Sequence, residues 1–223
     1  MGELVFTFGP MGSGKSLELL RNAHHRESIG LSVVTVKPQT DSKGGNQITA
    51  RGAVPGREVD ILMPEDMDIQ AAINDNIEQR ELDPQRSIVL VDEAQFSAIE
   101  QVDALRRVAE FDGVSEVAAY GLRTDFRIEL FPAAKRFLEL ATRIEQLKIP
   151  CECGKNDAHY NTRRIDGVYV FEGEQVAIDG EYVGEDQVLS VRDMGEVTYN
   201  ALCFRCYSNE KAAAKQTPAA LHF

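Results

Sequence analysis

The chain has 223 residues, of which 43% are hydrophobic and 27% are charged, a balance typical of a folded globular protein. This length predicts one medium domain with a small appendage rather than two full-sized domains. The formal net charge of −12 opposes broad attraction to nucleic-acid phosphates or to an anionic membrane, so local groups must meet an anionic substrate. Because the sequence has no apolar run of roughly 18 residues and no signal-peptide pattern, we expect a cytoplasmic protein.

Strand-like and helical patterns alternate over the first two thirds of the chain. Four apolar runs rich in β-branched residues are predicted to be strands, and they lie at residues 4–8, 32–36, 87–91 and 114–120. Helical spacing of apolar residues predicts four helices, at residues 17–29, 69–77, 99–108 and 131–147. Alternation of this kind requires a mainly parallel sheet with right-handed crossovers, so the predicted fold class is α/β with helices flanking the sheet.

Two changes of composition divide the chain. Residues 41–57 are rich in Gly, Ser, Asn and Gln and have no apolar period, which predicts a mobile surface loop. The second change comes at Pro150, beyond which no long helical period is visible. We therefore predict two domains, residues 1–149 and 150–223.

The second domain is predicted to be small and poor in core residues. Short strand-like runs lie at residues 169–171 and 175–178. The acidic stretch 180–197 between these runs and the last cysteines has no functional assignment. The residues from Lys211 onward are rich in Ala, Lys and Gln and predict a frayed tail.

A phosphate-binding motif follows the first predicted strand. It fits G-x-x-x-x-G-K-[ST] and consists of Gly9, Pro10, Met11, Gly12, Ser13, Gly14, Lys15 and Ser16. The motif stands between a strand and a helix, so its backbone N–H groups can converge on phosphate oxygens at a helix N-terminus. Lys15 would supply a charge near the transferred phosphoryl group, and Ser16 a hydroxyl for Mg²⁺. A Gly-rich turn is the alternative, but the context favours ATP or a relative as ligand.

An acidic pair ends the third predicted strand. Asp92 and Glu93 directly follow the apolar run at 87–91. Asp92 can hold the hydration shell of Mg²⁺ while Glu93 accepts a proton from an attacking hydroxyl, which separates metal binding from general-base catalysis. An Asp-Glu pair after a strand is also common at the solvated start of a loop. Together with the phosphate loop, the catalytic interpretation is favoured.

All four cysteines lie in the second predicted domain as two close pairs. They are Cys151, Cys153, Cys203 and Cys206. Four thiolates match the tetrahedral ligand set of a structural Zn²⁺ ion, although the first pair has only one intervening residue. Buried free cysteines or a redox pair are the alternatives. A segment this poor in core residues would depend on the metal for folding, so we predict a zinc-binding module.

Five features of the sequence carry a family resemblance: the phosphate loop, Asp-Glu-Ala-Gln-Phe at 92–96, Gly-Leu-Arg-Thr-Asp-Phe-Arg at 121–127, Glu-Gly-Glu-Gln-Val at 172–176 and the spaced cysteines. Together they resemble the type II thymidine kinases, which have a P-loop, ATPase-like core and a zinc site. The resemblance covers nearly the whole chain. It implies transfer of the γ-phosphoryl group of ATP, with Mg²⁺, to the 5′-hydroxyl of thymidine or deoxyuridine in nucleotide salvage. It also implies that Glu93 is the general base and that Gln95 belongs to the nucleotide site.

The resemblance further implies a set of nucleoside contacts. The walls of the pocket would be Met11, Phe96, Leu122, Phe126 and Phe131. A loop that covers the pyrimidine would be Gln175, Val176, Ala177, Ile178 and Asp179, with Tyr199 as a further contact. Met and Phe are also ordinary core residues, and a tyrosine can simply pack beside a cysteine pair, so core packing is the alternative. The family likeness suggests a homotetramer and feedback inhibition by thymidine triphosphate.

Two departures from the family pattern leave questions open. An arginine that many members carry near the phosphate is absent after the second strand, and its replacement could be Lys43, Arg51, Arg163 or Arg164. The segment 180–197 is longer than the usual substrate loop. Two other functions also compete with a kinase: a zinc-containing ATPase that acts on nucleic acid and a non-catalytic nucleotide sensor. The acidic charge opposes the first, and the presence of both Lys15 and Glu93 opposes the second.

Overall fold

The computed structural model describes residues 2–39, 45–50, 55–173, 181–184, 187–190 and 196–216. The chain divides into two compact units. The first comprises Met1–Gly9, Gly14–Arg123 and Leu130–Leu147, and the second comprises Pro10–Ser13, Thr124–Glu129 and Lys148–Phe223. The two-domain division at residues 149 and 150 stays a prediction.

The described residues of the first unit form eight strands. In chain order they are β1 (Glu3–Phe8), β2 (Ser32–Pro38), β3 (Gln47–Ile48), β4 (Arg57–Glu58), β5 (Ile61–Met63), β6 (Ser87–Val91), β7 (Glu116–Gly121) and β8 (Arg143–Gln146). Six of them form one sheet in the order β5-β2-β6-β7-β1-β8, and every neighbouring pair in it is parallel. Strands β3 and β4 form a separate antiparallel pair. The predicted α/β class with a mainly parallel sheet is therefore confirmed.

In the part of the first unit that the structure describes, four α-helices cover the two faces of this sheet. They are α1 (Lys15–Ser28), α2 (Ile69–Gln79), α3 (Ile99–Phe111) and α4 (Pro132–Leu140). Helix α1 packs on one face through a cluster with alternate strand residues such as Val5 and Ile88. The other three helices pack on the opposite face, where Leu4 and Phe6 point. Strand β6 is buried along its whole length, which explains why its sequence is a continuous apolar run.

Two predicted elements of the first unit need correction. The helix predicted at 131–147 is wrong in its second half, because α4 ends at Leu140 and residues 143–146 form edge strand β8. Thr142 N donates to Leu4 O, and β8 then pairs with β1, so sheet pairing overrides the helical spacing. The predicted loop 41–57 contains β3, where Ile48 is fully buried.

The second unit is mostly antiparallel. Its strands are β9 (Ile149–Pro150), β10 (Asp157–Ala158), β11 (Tyr160–Ile165), β12 (Val168–Val170), β13 (Glu181–Gly184), β14 (Gln187–Ser190) and β15 (Val197–Leu202). They form one sheet of order β12-β11-β15 and two pairs, β9 with β10 and β13 with β14. The last element is helix α5 (Phe204–Gln216). The prediction of a frayed tail from Lys211 is wrong for residues 211–216, which are helical, and the predicted strand at 175–178 lies outside the described residues.

None of the helices in the described part of the chain combines the length and the apolar character needed to cross a membrane.

Candidate functional site

The phosphate loop connects β1 to α1 through two residues with left-handed backbone. Gly12 has a φ of 79° and Gly14 a φ of 80°, a region that glycine adopts at little cost. The Lys15 side chain is buried, and its Nζ donates to Gly9 O at 3.2 Å. Burial lowers the pKa of Lys15, and the carboxylates of Glu93 and Asp92 oppose that shift. The lysine therefore stands in a desolvated position with two acidic groups near it.

Ser16 and Asp92 meet at the ends of the loop and of β6. The Ser16 hydroxyl lies 3.2 Å from Asp92 Oδ1 and 3.3 Å from Oδ2, to which it donates. Asp92 is 4% exposed. Burial raises the pKa of Asp92 to about 7, and the negative charge of Glu93 adds to this effect. The structure thus brings together the two residues predicted to share Mg²⁺, and one of them is a buried carboxylate.

Glu93 occupies a strained backbone position. Its φ of 47° and ψ of 38° are left-handed, and it stands directly before a short 3₁₀ turn, Ala94–Phe96. Such conformations in non-glycine residues cost about 1–3 kcal/mol and cluster at functional sites. The side chain is half-buried, and its Oε2 accepts a hydrogen bond from Gln95 Nε2 at 2.6 Å.

Gln95 uses both ends of its amide inside the first unit. Besides donating to Glu93, it accepts from Leu122 N at 2.9 Å through Oε1. A Cβ on Gly121 would stand 2.9 Å from that oxygen, so glycine at the end of β7 leaves room for the Gln95 amide. Gln95 thus joins the ends of β6 and β7, a role that the sequence did not reveal. The short Asp-Glu-Ala-Gln-Phe string carries no signal for a contact across strands.

Three predicted nucleoside contacts of the first unit lie at its apolar core. Phe131 is buried, while Phe96 and Leu122 are partly buried and pack against the same cluster. The rings of Phe96 and Phe131 meet edge to face, with centroids 6.0 Å apart and an interplanar angle of 81°. Core packing and a role as pocket wall are therefore compatible at these positions.

Two further predicted contacts belong to the second unit. Met11 N donates to Asn161 Oδ1 at 2.7 Å. Phe126 is 2% exposed, its carbonyl accepts from the Tyr207 hydroxyl at 2.8 Å, and the guanidinium carbon of Arg163 lies 3.9 Å from its ring centroid. Of the basic candidates for phosphate, Arg163 is therefore engaged with an aromatic ring.

Of the remaining predicted site residues, Tyr199 and Arg164 lie in the described part of the chain and the others do not. Tyr199 is half-buried on β15, opposite Arg163 in the antiparallel ladder. Arg164 lies over the ring of Tyr169, with its guanidinium carbon 4.2 Å from the centroid. The loop residues Gln175 to Asp179, and the candidates Lys43 and Arg51, lie outside the described residues.

The four cysteines converge in the second unit. Their Sγ atoms all lie within 4.8 Å of one another, and Cys153 Sγ is 3.9 Å from Cys203 Sγ. Tetrahedral Zn²⁺ with Zn–S bonds of ~2.3 Å requires sulfur atoms ~3.8 Å apart, so the cluster fits this ion. A hydrogen bond from the backbone N–H of Cys206 lowers the pKa of the Cys203 thiol, whereas the neighbouring Cys203 sulfur raises the pKa of the Cys206 thiol. The one-residue spacing of Cys151 and Cys153 does not prevent convergence.

A parallel sheet with a G-x-x-x-x-G-K-S loop between β1 and α1 defines a P-loop nucleotide-binding protein. Comparison with known proteins narrows this class. The thymidine kinase family matches residues 2–207. The chain belongs to the thymidine kinase family.

Individual relatives agree with this assignment. The thymidine kinase of Streptomyces avermitilis is 36% identical over 223 residues, covering 99% of this chain and 95% of the relative. Those of Enterobacteria phage T4 and Lactococcus lactis are 37% and 36% identical, and each alignment covers 81% of this chain and 91% of the relative. The prediction of a thymidine kinase enzyme is confirmed, and these comparisons do not favour the zinc-containing ATPase.

Proposed function

We propose that the chain transfers the γ-phosphoryl group of ATP to the 5′-hydroxyl of thymidine, and also of deoxyuridine, in the salvage of pyrimidine deoxynucleosides. The observation that carries this proposal is the convergence of Lys15, Ser16, Asp92 and Glu93 at the carboxyl ends of β1 and β6. Phosphoryl transfer needs little covalent chemistry from the protein, so positioning and charge stabilisation are the main tasks of these side chains.

The phosphates of ATP would be held by the phosphate loop. Backbone N–H groups from Gly12 to Ser16 can bind their oxygens, and the start of α1 adds its partial positive charge. Lys15 Nζ would leave Gly9 O and contact the phosphate that is transferred. Because Lys15 is desolvated, its attraction to a phosphate is stronger than that of a lysine in water.

Ser16 and Asp92 would hold Mg²⁺. These residues fit Mg²⁺ because both offer oxygen ligands. The Asp92 carboxyl is buried and has a raised pKa, and a bound hard cation would stabilise its ionised form. When bound, Mg²⁺ neutralises charge on the phosphates. Asp92 would have to be ionised, and Ser16 would offer the ion a lone pair of the hydroxyl oxygen whose hydrogen points to Asp92.

Glu93 would accept the proton of the 5′-hydroxyl. Gln95 holds Oε2 of the carboxylate by a hydrogen bond, which supports Oε1 as the atom that receives the proton. The left-handed backbone conformation of Glu93 sets the direction in which its side chain leaves the backbone. The catalytic assignment therefore depends on a carboxylate that is oriented before the substrate binds.

The nucleoside would contact the apolar and aromatic residues named by the family resemblance. Support comes from the edge-to-face pair of Phe96 and Phe131 and from the aromatic position of Phe126 under Arg163. Met11, Leu122 and Tyr199 complete the described members of this proposed set. The loop from Gln175 to Asp179, proposed to read the base through its backbone, lies outside the described residues.

The raised pKa of Asp92 predicts a pH-dependent gain in stability on changing Asp92→Asn. In the folded state this pKa is about 7, against ~3.9 when unfolded, so the folded chain binds the proton more tightly. Ionisation therefore destabilises the ligand-free chain as pH rises from 4 to 7, and Asn removes this cost. At pH 8 we expect the free energy of unfolding of Asp92→Asn to be about 2–4 kcal/mol higher than that of the parent chain. We also expect this variant to be nearly inactive.

This gain should shrink towards zero as the pH falls from 7 to 4, since Asp92 becomes neutral in both states. The measurement is denaturant unfolding of both proteins in EDTA at pH 8 and at pH 5. An equal difference at the two pH values, or a less stable variant at pH 8, would argue against a buried charged carboxylate at this position.

The four cysteines are proposed to hold one structural Zn²⁺ per chain, with no part in the chemical step. We expect Cys203→Ser or Cys206→Ser to lose the metal and to unfold mainly the second unit, because few apolar residues support it. Ser208→Ala, on the same helix α5, is the control and should keep full zinc content. Zinc analysis combined with amide hydrogen exchange by segment measures both effects. A fully active and protected protein that contains no zinc would refute this role.

Assembly as a homotetramer and inhibition by thymidine triphosphate are proposed from the family resemblance alone. A cytoplasmic location is proposed from the sequence, which has neither a long apolar run nor a signal-peptide pattern.

The proposed reaction is tested by following the label from [γ-³²P]ATP into a nucleoside product. Thymidine should give a labelled 5′-monophosphate, and 5′-deoxythymidine, which has the same base but no acceptor hydroxyl, should give none. 3′-Deoxythymidine separates the two hydroxyl groups and should still be labelled. Label on 5′-deoxythymidine, or release of free phosphate in place of a nucleotide product, would contradict the proposed acceptor.

A further inference from the structure

One face of β11 carries two buried polar side chains, Asn161 and Arg163. Residues two apart on a strand point to the same side of the sheet. Their exposed fractions are 4% and 6%. Burial of an amide and a guanidinium is unfavourable unless the protein supplies their hydrogen bonds, so the groups they contact indicate their role.

Asn161 connects two segments that are distant in sequence. Its Oδ1 accepts from Met11 N at 2.7 Å, and its Nδ2 donates to Thr124 O at 2.7 Å. Both partners are backbone groups, so the Asn161 amide holds the backbone at Met11 and at Thr124 in place. One segment contains the predicted nucleoside contact Met11, and the other leads within two residues to Phe126.

Arg163 contacts Phe126 itself. Its guanidinium carbon lies 3.9 Å from the ring centroid, a distance at which cation–π attraction is substantial in a desolvated site. The same guanidinium donates through Nη2 to Glu172 O at 2.8 Å. A Cβ on Gly173 would stand 2.7 Å from Nη2, so glycine at this position leaves room for the arginine.

We propose that Asn161 and Arg163 are positioning residues for the nucleoside. Together they hold Met11, the ring of Phe126 and the backbone at Glu172 in one arrangement within the second unit, and thereby set the affinity for the pyrimidine deoxynucleoside. This inference rests on the proposed function, in which Met11 and Phe126 contact the nucleoside. It also assigns Arg163 to the acceptor nucleoside rather than to the phosphates of ATP.

The neighbouring Arg164 provides a matched control. It lies on the opposite face of the same strand and stacks over Tyr169 on β12. Arg163→Met and Arg164→Met therefore remove the same charge from adjacent positions, each above an aromatic ring. Only the first of these rings belongs to a proposed nucleoside contact.

The test is steady-state kinetics with thymidine and ATP varied separately. We expect Arg163→Met to raise the KM for thymidine about tenfold. Its kcat should stay within about threefold of the parent value, and its KM for ATP within about twofold. Arg164→Met should leave the KM for thymidine within about twofold of the parent value. Arg163→Lys, which keeps the charge without the forked donors, should recover part of the loss. Asn161→Asp keeps the acceptor for Met11 N and loses the donor to Thr124 O, so we expect about a threefold rise in the KM for thymidine.

Phe126→Leu distinguishes failure of this inference from failure of the proposed function. It should raise the KM for thymidine at least about tenfold, and adding Arg163→Met should have little further effect, since Arg163 acts through the ring. If Phe126→Leu leaves the KM unchanged, the proposed nucleoside contact fails, and the inference fails with it. If Phe126→Leu raises the KM for thymidine while Arg163→Met and Arg164→Met have the same KM for thymidine, the inference is overturned and the proposed function stands. Should Arg163→Met not fold, unchanged KM values for thymidine in Arg163→Lys and Asn161→Asp would overturn it.

Discussion

Glu93→Gln is expected to reduce kcat by ~10²–10⁴-fold while thymidine and ATP still bind. The amide has nearly the shape of the carboxylate and can still accept the hydrogen bond from Gln95 Nε2, so the backbone of the 3₁₀ turn should be preserved. Only the ability to take up a proton is lost. The effect should therefore appear in kcat rather than in either KM.

The control for this change is Glu100→Gln, an exposed position in the first turn of α3. It removes the same charge and should retain the parent kcat. Binding of both substrates is measured by calorimetry, and the chemical step by rapid quench. Turnover of Glu93→Gln within about twofold of the parent would exclude Glu93 as the general base.

Deoxycytidine is expected to be a poor substrate, with kcat/KM lower than that of thymidine by up to roughly 10⁴-fold. Thymine and uracil share an N3–H donor between two carbonyl groups, whereas cytosine has an N4 amine and an N3 acceptor. Backbone groups that read this edge would be left with unpaired donors and acceptors when cytosine binds. Deoxyuridine, in contrast, should be phosphorylated.

This selectivity is measured by direct competition of thymidine, deoxyuridine and deoxycytidine at concentrations below their KM values. Deoxyuridine serves as the control for loss of the methyl group alone, which is worth far less than a mismatched hydrogen-bonding edge. Equal efficiency with deoxycytidine would mean that the base is read differently, and the segment 180–197 would be the first place to look for another arrangement.

Short-range patterns in the sequence predicted the parts of the molecule that are built locally. The phosphate loop, the buried strand before Asp92 and the cysteine pairs are all readable because spacing and neighbouring elements are sufficient to identify them. The parallel sheet followed from the alternation of strands and helices, and it is confirmed. The distance between the two cysteine pairs in sequence did not prevent their prediction, because thiolates have few structural roles besides metal binding and disulfides.

Contacts over long sequence distances were not predictable. The spacing of Phe137, Ile144 and Leu147 suggested one helix, yet pairing with β1 turns residues 143–146 into an edge strand. Asn161 and Arg163 had no local signal either, since the Asn161 amide reaches a residue 150 positions away. Tertiary hydrogen bonds of this kind depend on the assembled fold.

The central claim is that this chain uses ATP to phosphorylate a pyrimidine deoxynucleoside. Its most direct test is ATP consumption by the full chain with Mg²⁺, measured alone, with thymidine and with single-stranded DNA of mixed sequence. The account predicts that thymidine stimulates consumption with one nucleotide product formed per ATP used, and that single-stranded DNA leaves the basal rate unchanged. Stimulation by single-stranded DNA without stimulation by thymidine would contradict it.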